Sequence, residues 1–183
     1  PGRFRRAFGI ADDFILYVGR VNPSKGCREL VELFATYKAL RPSRLKLVMI
    51  GNVEMELPRR PDVRLLGYLP DQDVADALAA ATLSVTASRF ESFSLSAMES
   101  WLADRPVLVN GAAAPLRAHV ERSGGGLYFE DEATFCAALD RLLADESLRA
   151  RLARAGRRYA AERHAWDAVR AAWLRALDAA LAR

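Results

Sequence analysis

The sequence contains little lysine, cysteine or histidine and has no long apolar run. Its apolar stretches are too short to cross a membrane, and its first residues lack the apolar core of a signal peptide. Cys27 and Cys136 stand outside any Cys-x-x-Cys or Cys/His spacing, so neither a zinc site nor a disulfide framework is indicated. His119 and His164 accompany no recognisable Ser or Cys nucleophile, which leaves a catalytic triad unsupported. We therefore expect a soluble cytoplasmic domain.

Positive charge is carried almost entirely by arginine, with 24 arginines and 3 lysines. The net charge of +4 lies in residues 140–183, which hold ten arginines and six acidic residues, so the preceding part is neutral overall. Such a basic region can meet nucleic acid or an anionic membrane. Because no aromatic–basic platform accompanies these arginines, we interpret the region as a solvated helix face and expect no nucleic-acid partner. A peripheral membrane contact of the full protein stays open.

Short apolar runs alternate with amphipathic stretches along most of the chain. We predict strands at Phe14–Val18, Leu45–Ile50, Val63–Leu66, Leu83–Thr86, Pro106–Val109 and Leu127–Phe129. We predict helices from Ser24 or Lys25 to about Leu40, from Asp71 to Ala81, from about Ser94 to Ala103, between Gly111 and Ser123, and at Glu132–Ala144, Ser147–Glu162 and Trp166–Leu181. This alternation indicates an α/β fold with a doubly wound parallel sheet of about six strands. We expect one domain over residues 1–183, with residues 146–183 as C-terminal helices.

The first turn that carries chemistry follows the strand at 14–18 and leads into a helix. It has the sequence Gly19-Arg20-Val21-Asn22-Pro23-Ser24-Lys25-Gly26, and we call residues 19–26 the basic turn. Arg20 can bind a phosphate bidentately, and Lys25 can bind it as a point charge. A cation near a helix N-terminus interacts unfavourably with the helix dipole. We therefore favour a phosphate-binding role for Arg20 and Lys25 over the interpretation that both side chains are merely solvated.

The second such turn follows the strand at 83–86, and we call residues 87–94 the acidic turn. It carries Glu91, and the helix that it opens carries Glu99. Carboxylates accept hydrogen bonds from neighbouring hydroxyls, and backbone N–H groups at a helix start can bind phosphate. Taken singly, Glu91 is equally explained as a charge that stabilises the helix dipole, and Glu99 as an exposed helix residue.

The two turns together predict one ligand site, because ligands of open α/β sheets bind at strand-to-helix turns. A basic turn beside an acidic turn suits a ligand with a diphosphate at one part and hydroxyls at another. A nucleotide sugar has that shape. This prediction requires the two turns to be neighbours in space.

From about Phe14 to the last helix, this ordered series of motifs resembles the donor-binding C-terminal half of the retaining glycosyltransferases with two Rossmann-like domains, the GT-B fold. The resemblance is to the large family with a glutamate, seven residues, glutamate signature, the glycosyl transferases group 1. It implies that Arg20 and Lys25 hold the donor diphosphate, that Glu91 binds hydroxyls of the transferred sugar and that Glu99 binds the ribose. The catalytic set is then Arg20, Lys25 and Glu91, and the donor-binding set is Gly19, Gly51, Tyr68, Phe93, Ser94, Leu95, Ser96 and Glu99.

The resemblance also implies partners. The donor is expected to be a nucleotide-diphosphate sugar of the UDP, GDP or ADP type, with no cofactor and no metal. The chain begins at Pro1 without a methionine, so we expect a piece of a longer enzyme whose N-terminal acceptor domain is absent. The isolated domain is then expected to be inactive.

Several positions depart from the family pattern. Ala87-Ser88 stands where a proline often precedes the serine, Ser92 and Ser94 replace glycines that often flank Phe93, and Asp104 replaces a glycine. These changes leave the charged residues of both turns in place.

Residues 71–73 form an Asp-x-Asp triplet, which binds a metal in the other large glycosyltransferase fold. We favour Asp71 as an N-cap instead, with Asp73 as an acid in the first helical turn.

Two further interpretations remain open. The chain could be a non-catalytic module that binds a nucleotide or polyanion, or a GT-B-fold epimerase or phosphorylase. The last helix carries four apolar residues on one face, either as core or as part of an interface with the absent domain: Trp166, Val169, Trp173 and Leu177.

Overall fold

A six-stranded parallel sheet forms the centre of the protein in the computed structural model, which describes residues 2–181. The strands lie in the order β3-β2-β1-β4-β5-β6. They are β1 (Phe14–Val18), β2 (Lys46–Ile50), β3 (Val63–Leu65), β4 (Leu83–Thr86), β5 (Val107–Asn110) and β6 (Gly126–Phe129). This architecture confirms the predicted α/β, Rossmann-like doubly wound fold.

Eight α-helices accompany these strands in the described part of the chain. They are α1 (Gly2–Phe8), α2 (Cys27–Leu40), α3 (Asp71–Ala80), α4 (Leu95–Leu102), α5 (Ala114–Ser123), α6 (Glu132–Ala144), α7 (Glu146–His164) and α8 (Trp166–Leu181). A short 3₁₀ turn, Pro23–Lys25, precedes α2. The predicted bounds agree with these to within a few residues.

Both faces of the sheet are covered, as the side-chain alternation of β1 shows. Ile15 and Tyr17 point to one face and pack with residues of α2 and α6, whereas Phe14 and Leu16 point to the other and pack with residues of α1 and α3. A strand that is buried on both faces reads as a continuous apolar run, which explains the sequence Phe-Ile-Leu-Tyr-Val.

The strand order reverses between β1 and β4. From β1 the chain builds outward through β2 to β3, and it then returns to place β4 on the other side of β1, with Ile15 opposite Leu83. A reversal of this kind opens a crevice at the carboxyl ends of the two strands. The basic turn leaves β1 at this end and the acidic turn leaves β4 there, so the fold itself brings the two turns together.

Two local features differ from the sequence predictions. Helix α1 was not predicted, because seven residues give too little periodicity; Phe4 buries its ring there against Phe14, with ring centroids 5.9 Å apart. Asp71 is the first residue of α3 and not its N-cap, since Pro70 holds that position and no side chain caps the helix. Asp73 instead pairs with Arg3 at 2.7 Å.

The C-terminal helices differ in how they are packed. Helix α7 lies so close to α4 that a Cβ at Gly156 would collide with the Trp101 ring, whose Nε1 donates to the Gly125 carbonyl at 2.8 Å. Helix α8 has no buried residue, and Trp166 and Trp173 are 80% and 66% exposed. No helix in residues 2–181 combines the length and apolar character needed to cross a membrane.

Candidate functional site

The basic turn is held by short-range contacts and by backbone hydrogen bonds that join Val21 to residues 52 and 54, just after β2. The Asn22 side chain caps the 3₁₀ turn by accepting a hydrogen bond from the Lys25 backbone N–H at 3.2 Å, and Gly26 ends it in the left-handed region at φ 65°. The Arg20 carbonyl accepts a hydrogen bond from the Tyr17 hydroxyl at 2.7 Å and a weaker one from the Cys27 thiol at 3.7 Å. These bonds fix the backbone of the turn, and the Arg20 side chain extends into solvent.

The buried donors beneath this turn are poor acids. Burial, followed by the hydrogen bond with Cys27, raises the pKa of Tyr17 far above its usual value. Burial also raises the pKa of the Cys27 thiol, more than the nearby Lys25 lowers it. Position near a helix start therefore does not activate Cys27, and both groups act as neutral hydrogen-bond donors.

The acidic turn is held by a contact within the turn and by a residue distant in sequence. The buried Asn110 side chain donates to the Ala87 carbonyl at 3.0 Å, and the Ser88 hydroxyl donates to the Phe90 carbonyl at 3.0 Å. Ser94, at the end of the turn, adopts a left-handed conformation with φ 64°, which favours glycine. The turn therefore enters α4 through a strained residue.

The two turns touch at several points. The Lys25 Nζ lies 2.7 Å from the Glu91 Oε1, and these side chains are only 25% and 13% exposed. Gly26 lies against the Ala87 backbone so closely that a Cβ there would sit 2.6 Å from the Ala87 carbonyl oxygen. The predicted adjacency of the basic and acidic turns is thus present in the structure.

A hollow of about 250 Å³ opens between the two turns, and we call it the inter-turn hollow. It is lined by Tyr17, Val18, Gly19, Lys25, Thr86, Glu91, Ser94, Leu95, Ser96 and Glu99. A second hollow of about 450 Å³ adjoins it between α3 and α4 and shares Glu99 as a wall residue. The joint space can hold a ligand that extends past Glu99.

Glu99 has an unusual electrostatic setting. Although the residue as a whole is exposed, the protein around its carboxyl withdraws it partly from water, which raises its pKa; the negative Asp71 adds to that rise. Such a carboxylate gains from a partner that donates hydrogen bonds, such as a diol.

Most of the predicted site residues line the inter-turn hollow, namely Gly19, Lys25, Glu91, Ser94, Leu95, Ser96 and Glu99. Arg20, Gly51, Tyr68 and Phe93 do not. Gly51 lies beside the Gly19 carbonyl and donates its N–H to the Gly67 carbonyl at 2.9 Å, and Tyr68 is 70% exposed. Sequence reasoning did not propose Tyr17, Val18 or Thr86, which complete the wall; an apolar strand gives no sign that its last residues face a ligand.

Phe93 points away from the hollow. Its ring packs edge-on against His119 and His164, with centroids 5.3 Å and 5.0 Å away. The structure therefore gives Phe93 a packing position behind the acidic turn, where the sequence had predicted a donor contact.

The inter-turn hollow combines one cation, two carboxylates and the N-terminus of α4. The cation and the helix start suit an anionic group, and the carboxylates suit hydroxyls. Within residues 2–181, the structure contains no cluster of three or more His, Cys, Asp or Glu side chains arranged to hold a metal ion.

Comparison with known proteins agrees with this geometry. The family model for glycosyl transferases group 1 matches residues 3–159. D-inositol 3-phosphate glycosyltransferase of Acidothermus cellulolyticus is 33% identical over 90% of this chain and 41% of that protein.

Among solved structures, sucrose-phosphate synthase of Thermosynechococcus elongatus superposes with a TM-score of 0.76 at 25% identity, over 98% of this chain and 49% of that one. Anabaena HepE, solved in complex with UDP, has a TM-score of 0.82 at 18% identity, over 97% of this chain and 52% of that one, and this likeness shows the fold. The chain spans about half the length of the relatives it matches.

Proposed function

Since the chain belongs to the glycosyl transferases group 1 family, we propose that it is the donor-binding domain of a retaining, metal-independent glycosyltransferase. The enzyme would transfer a hexosyl group from a nucleotide-diphosphate sugar to an acceptor. The observation that carries the proposal is the Lys25–Glu91 contact, which sets a phosphate-binding cation and a hydroxyl-binding carboxylate 2.7 Å apart at the carboxyl ends of β1 and β4.

Different walls of the inter-turn hollow would bind different parts of the donor. The diphosphate lies near Lys25 and the N-terminus of α4, where the N–H groups of residues 94–96 are free of helical partners. Glu91 orients the sugar hydroxyls, and Glu99 accepts hydrogen bonds from the ribose. Arg20 is exposed, and its side chain folds over the diphosphate when the donor arrives.

Catalysis would follow from where charge develops. Cleavage of the bond between the anomeric carbon and the phosphate oxygen leaves negative charge on the nucleoside diphosphate. Lys25, Arg20 and the α4 dipole stabilise that charge more in the transition state than in the bound donor, which lowers the barrier. These positive groups take the part that a metal ion plays elsewhere, which is why the proposal includes none.

A second domain would complete the enzyme. The relatives are about twice as long as this chain. An acceptor domain that faces the donor domain would close the open inter-turn hollow into a cleft. The apolar face of α8 is exposed throughout, and we assign it to the junction with that N-terminal domain. We place the complete enzyme in the cytoplasm, where nucleotide sugars are consumed.

Calorimetric titration of the purified chain with UDP, GDP, ADP and their hexose conjugates tests the donor site. Solved relatives of this fold bind UDP and UDP-glucose, so the uridine series is the first choice. We expect saturable binding of one nucleotide class that Glu99→Ala weakens at least tenfold. Glu32→Ala, on the exposed face of α2, is the matched control and should bind as the unmodified chain does.

Besides a failure to bind any of these nucleotides, two results would contradict the proposal. One is binding that Glu99→Ala leaves unchanged. The other is a full-length protein that forms only an epimerised sugar or a sugar phosphate from the bound donor, because these products belong to the epimerase and phosphorylase alternatives.

A further inference from the structure

Five rings form a continuous cluster behind the acidic turn. Phe93 meets His119 of α5 and His164 of α7, and these two imidazoles lie 5.6 Å apart with a nearly perpendicular arrangement. Tyr159 of α7 contacts both histidines, and its hydroxyl lies 2.7 Å from His119 Nδ1. Trp101 of α4 closes the cluster against Tyr159 at 5.8 Å. The cluster thus ties the acidic turn to three helices.

The contact made by Phe93 is the link that bears on the donor site. Phe93 stands two residues after Glu91 and one residue before the left-handed Ser94. Both neighbours line the inter-turn hollow, while the ring between them points the opposite way. A displacement of this ring would therefore move the Glu91 carboxylate and the start of α4 together.

The two imidazoles are neutral at pH 7. Burial, then the other histidine and Arg122, lower the pKa of His119. Burial, then Arg163, lower the pKa of His164. His164 Nε2 is buried and forms no hydrogen bond with any described residue. Among the described residues, a proton added here would meet the cations Arg122 on α5 and Arg163 on α7 and no carboxylate partner, so it would loosen the cluster.

We propose that Phe93, His119 and His164 form an aromatic anchor that positions the acidic turn, so that donor affinity depends on this anchor and on its histidines remaining uncharged. These three are positioning residues, since none lines the inter-turn hollow. The donor-affinity part rests on the proposed function, whereas the ordering of the turn does not.

Amide hydrogen exchange of the ligand-free chain tests the anchor. Phe93→Leu should lower the protection of residues 91–96 about tenfold at pH 7.5, because the smaller side chain loses the edge-on contacts. Phe4→Leu is the matched control: Phe4 of α1 packs against the Phe8 and Phe14 rings, with centroids 4.8 Å and 5.9 Å away, in a core cluster that contains no residue of the acidic turn. It should leave the protection of residues 91–96, relative to the rest of the sheet, unchanged.

A separate variant tests whether the aromatic anchor depends on its histidines being uncharged. His164→Phe keeps a ring without a titrating group, and it sacrifices no Nε2 hydrogen bond. In the unmodified chain the protection of residues 91–96 should fall between pH 7.5 and pH 5.5 after correction for intrinsic exchange. In His164→Phe that fall should be at least halved, since only His119 then remains to take up a proton.

Three results separate the possibilities. Unchanged protection in Phe93→Leu would overturn the anchor, and an identical pH response in His164→Phe would overturn its charge dependence. UDP affinity should fall in Phe93→Leu by the same factor as the protection, because only the ordered turn is competent to bind. If the unmodified chain binds none of the nucleotides, the proposed function fails while the exchange result still decides the anchor.

Discussion

The basic and acidic turns occupy matching places, each between a central strand and a helix, yet they are held in different ways. The basic turn depends on the local Asn22 cap and left-handed Gly26, and on backbone hydrogen bonds that join Val21 to residues 52 and 54, just after β2. The acidic turn depends on Asn110 and on the ring cluster around Phe93. The first geometry rests on the turn's own residues and on backbone bonds beside the neighbouring strand β2, whereas the second rests on side-chain packing with α5 and α7.

This difference leads to different expectations for variants. Changes in the basic turn should act directly, through its charges and its close approach to the acidic turn. Changes in the acidic turn should act through strain and through distant packing. The predictions below test this contrast, beginning with the largest effect.

Loss of the Lys25 charge should have the largest effect. In the full-length enzyme, Lys25→Ala should lower turnover about 10²–10³-fold, which is the scale of losing one fixed donor to a developing anion. Lys46→Ala is the control, because Lys46 lies at the amino end of the parallel strands, where β2 begins, whereas the two turns leave the carboxyl ends. Steady-state kinetics of the two variants provide the measurement, and equal turnover in both would contradict the assigned role.

The close contact between the two turns should lower the unfolding free energy of the Gly26→Ala variant. Gly26 and Gly9 have nearly the same left-handed conformation, with φ 65° and 62°, but a Cβ at Gly9 meets nothing within 4 Å. Gly9→Ala should cost about 1–2 kcal/mol of unfolding free energy from strain alone. Gly26→Ala should cost about 3 kcal/mol or more, because its Cβ also collides with the Ala87 carbonyl. Urea unfolding measures both, and equal losses would show that the approach of the turns is not tight.

Strain at the entry to α4 should be relieved by Ser94→Gly. Removal of left-handed strain of about 1 kcal/mol outweighs the added backbone entropy of glycine, so the unfolding free energy should rise by roughly 0.5 kcal/mol. Asp104→Gly is the comparison, since Asp104 has φ 57° but also pairs with Arg157. Asp104→Gly should gain less unfolding free energy than Ser94→Gly does. A loss of stability in Ser94→Gly would contradict the presence of backbone strain at Ser94.

The two glutamates should respond oppositely to neutralisation. Partial burial and Asp71 disfavour the ionised form of Glu99 and raise its pKa, so its charge opposes folding once the pH exceeds the ordinary glutamate value near 4.5. Glu99→Gln should therefore stabilise the chain by a few tenths of a kcal/mol at pH 7 and have no effect near pH 4. Glu91→Gln should destabilise it at pH 7, because Lys25 loses its partner. Unfolding at the two pH values measures this, and a stability loss in Glu99→Gln would reverse our interpretation.

The same contrast explains how far the sequence could predict the structure. Strand periodicity, together with Gly19 and Pro23, identified the fold and the basic turn, because both are encoded in short segments. The position of Phe93 could not be predicted, since its partners His119 and His164 lie 26 and 71 residues further along the chain. Two other features also depend on contacts between residues that are distant in sequence: Asp71 does not cap α3, and α1 is formed. Arg3 of α1, for example, pairs with Asp73 of α3.

The individual site residues also differ in how well the sequence predicted their positions. Residues that follow β1 and β4 were predicted to line one site, and all of them except Arg20 and Phe93 do line the inter-turn hollow. Gly51 and Tyr68 follow β2 and β3, one and two strands away from the reversal, and they lie outside that hollow. Their contact with the nucleobase stays a prediction.

The most direct test of the central claim, that the two turns bind one donor together, is a nitrogen-15 NMR titration of the chain with UDP. We predict that the backbone amides of residues 19–26 and 91–97 shift together and saturate with a single dissociation constant, while those of α6 remain unaffected. Shifts confined to one turn, or centred elsewhere on the surface, would contradict it.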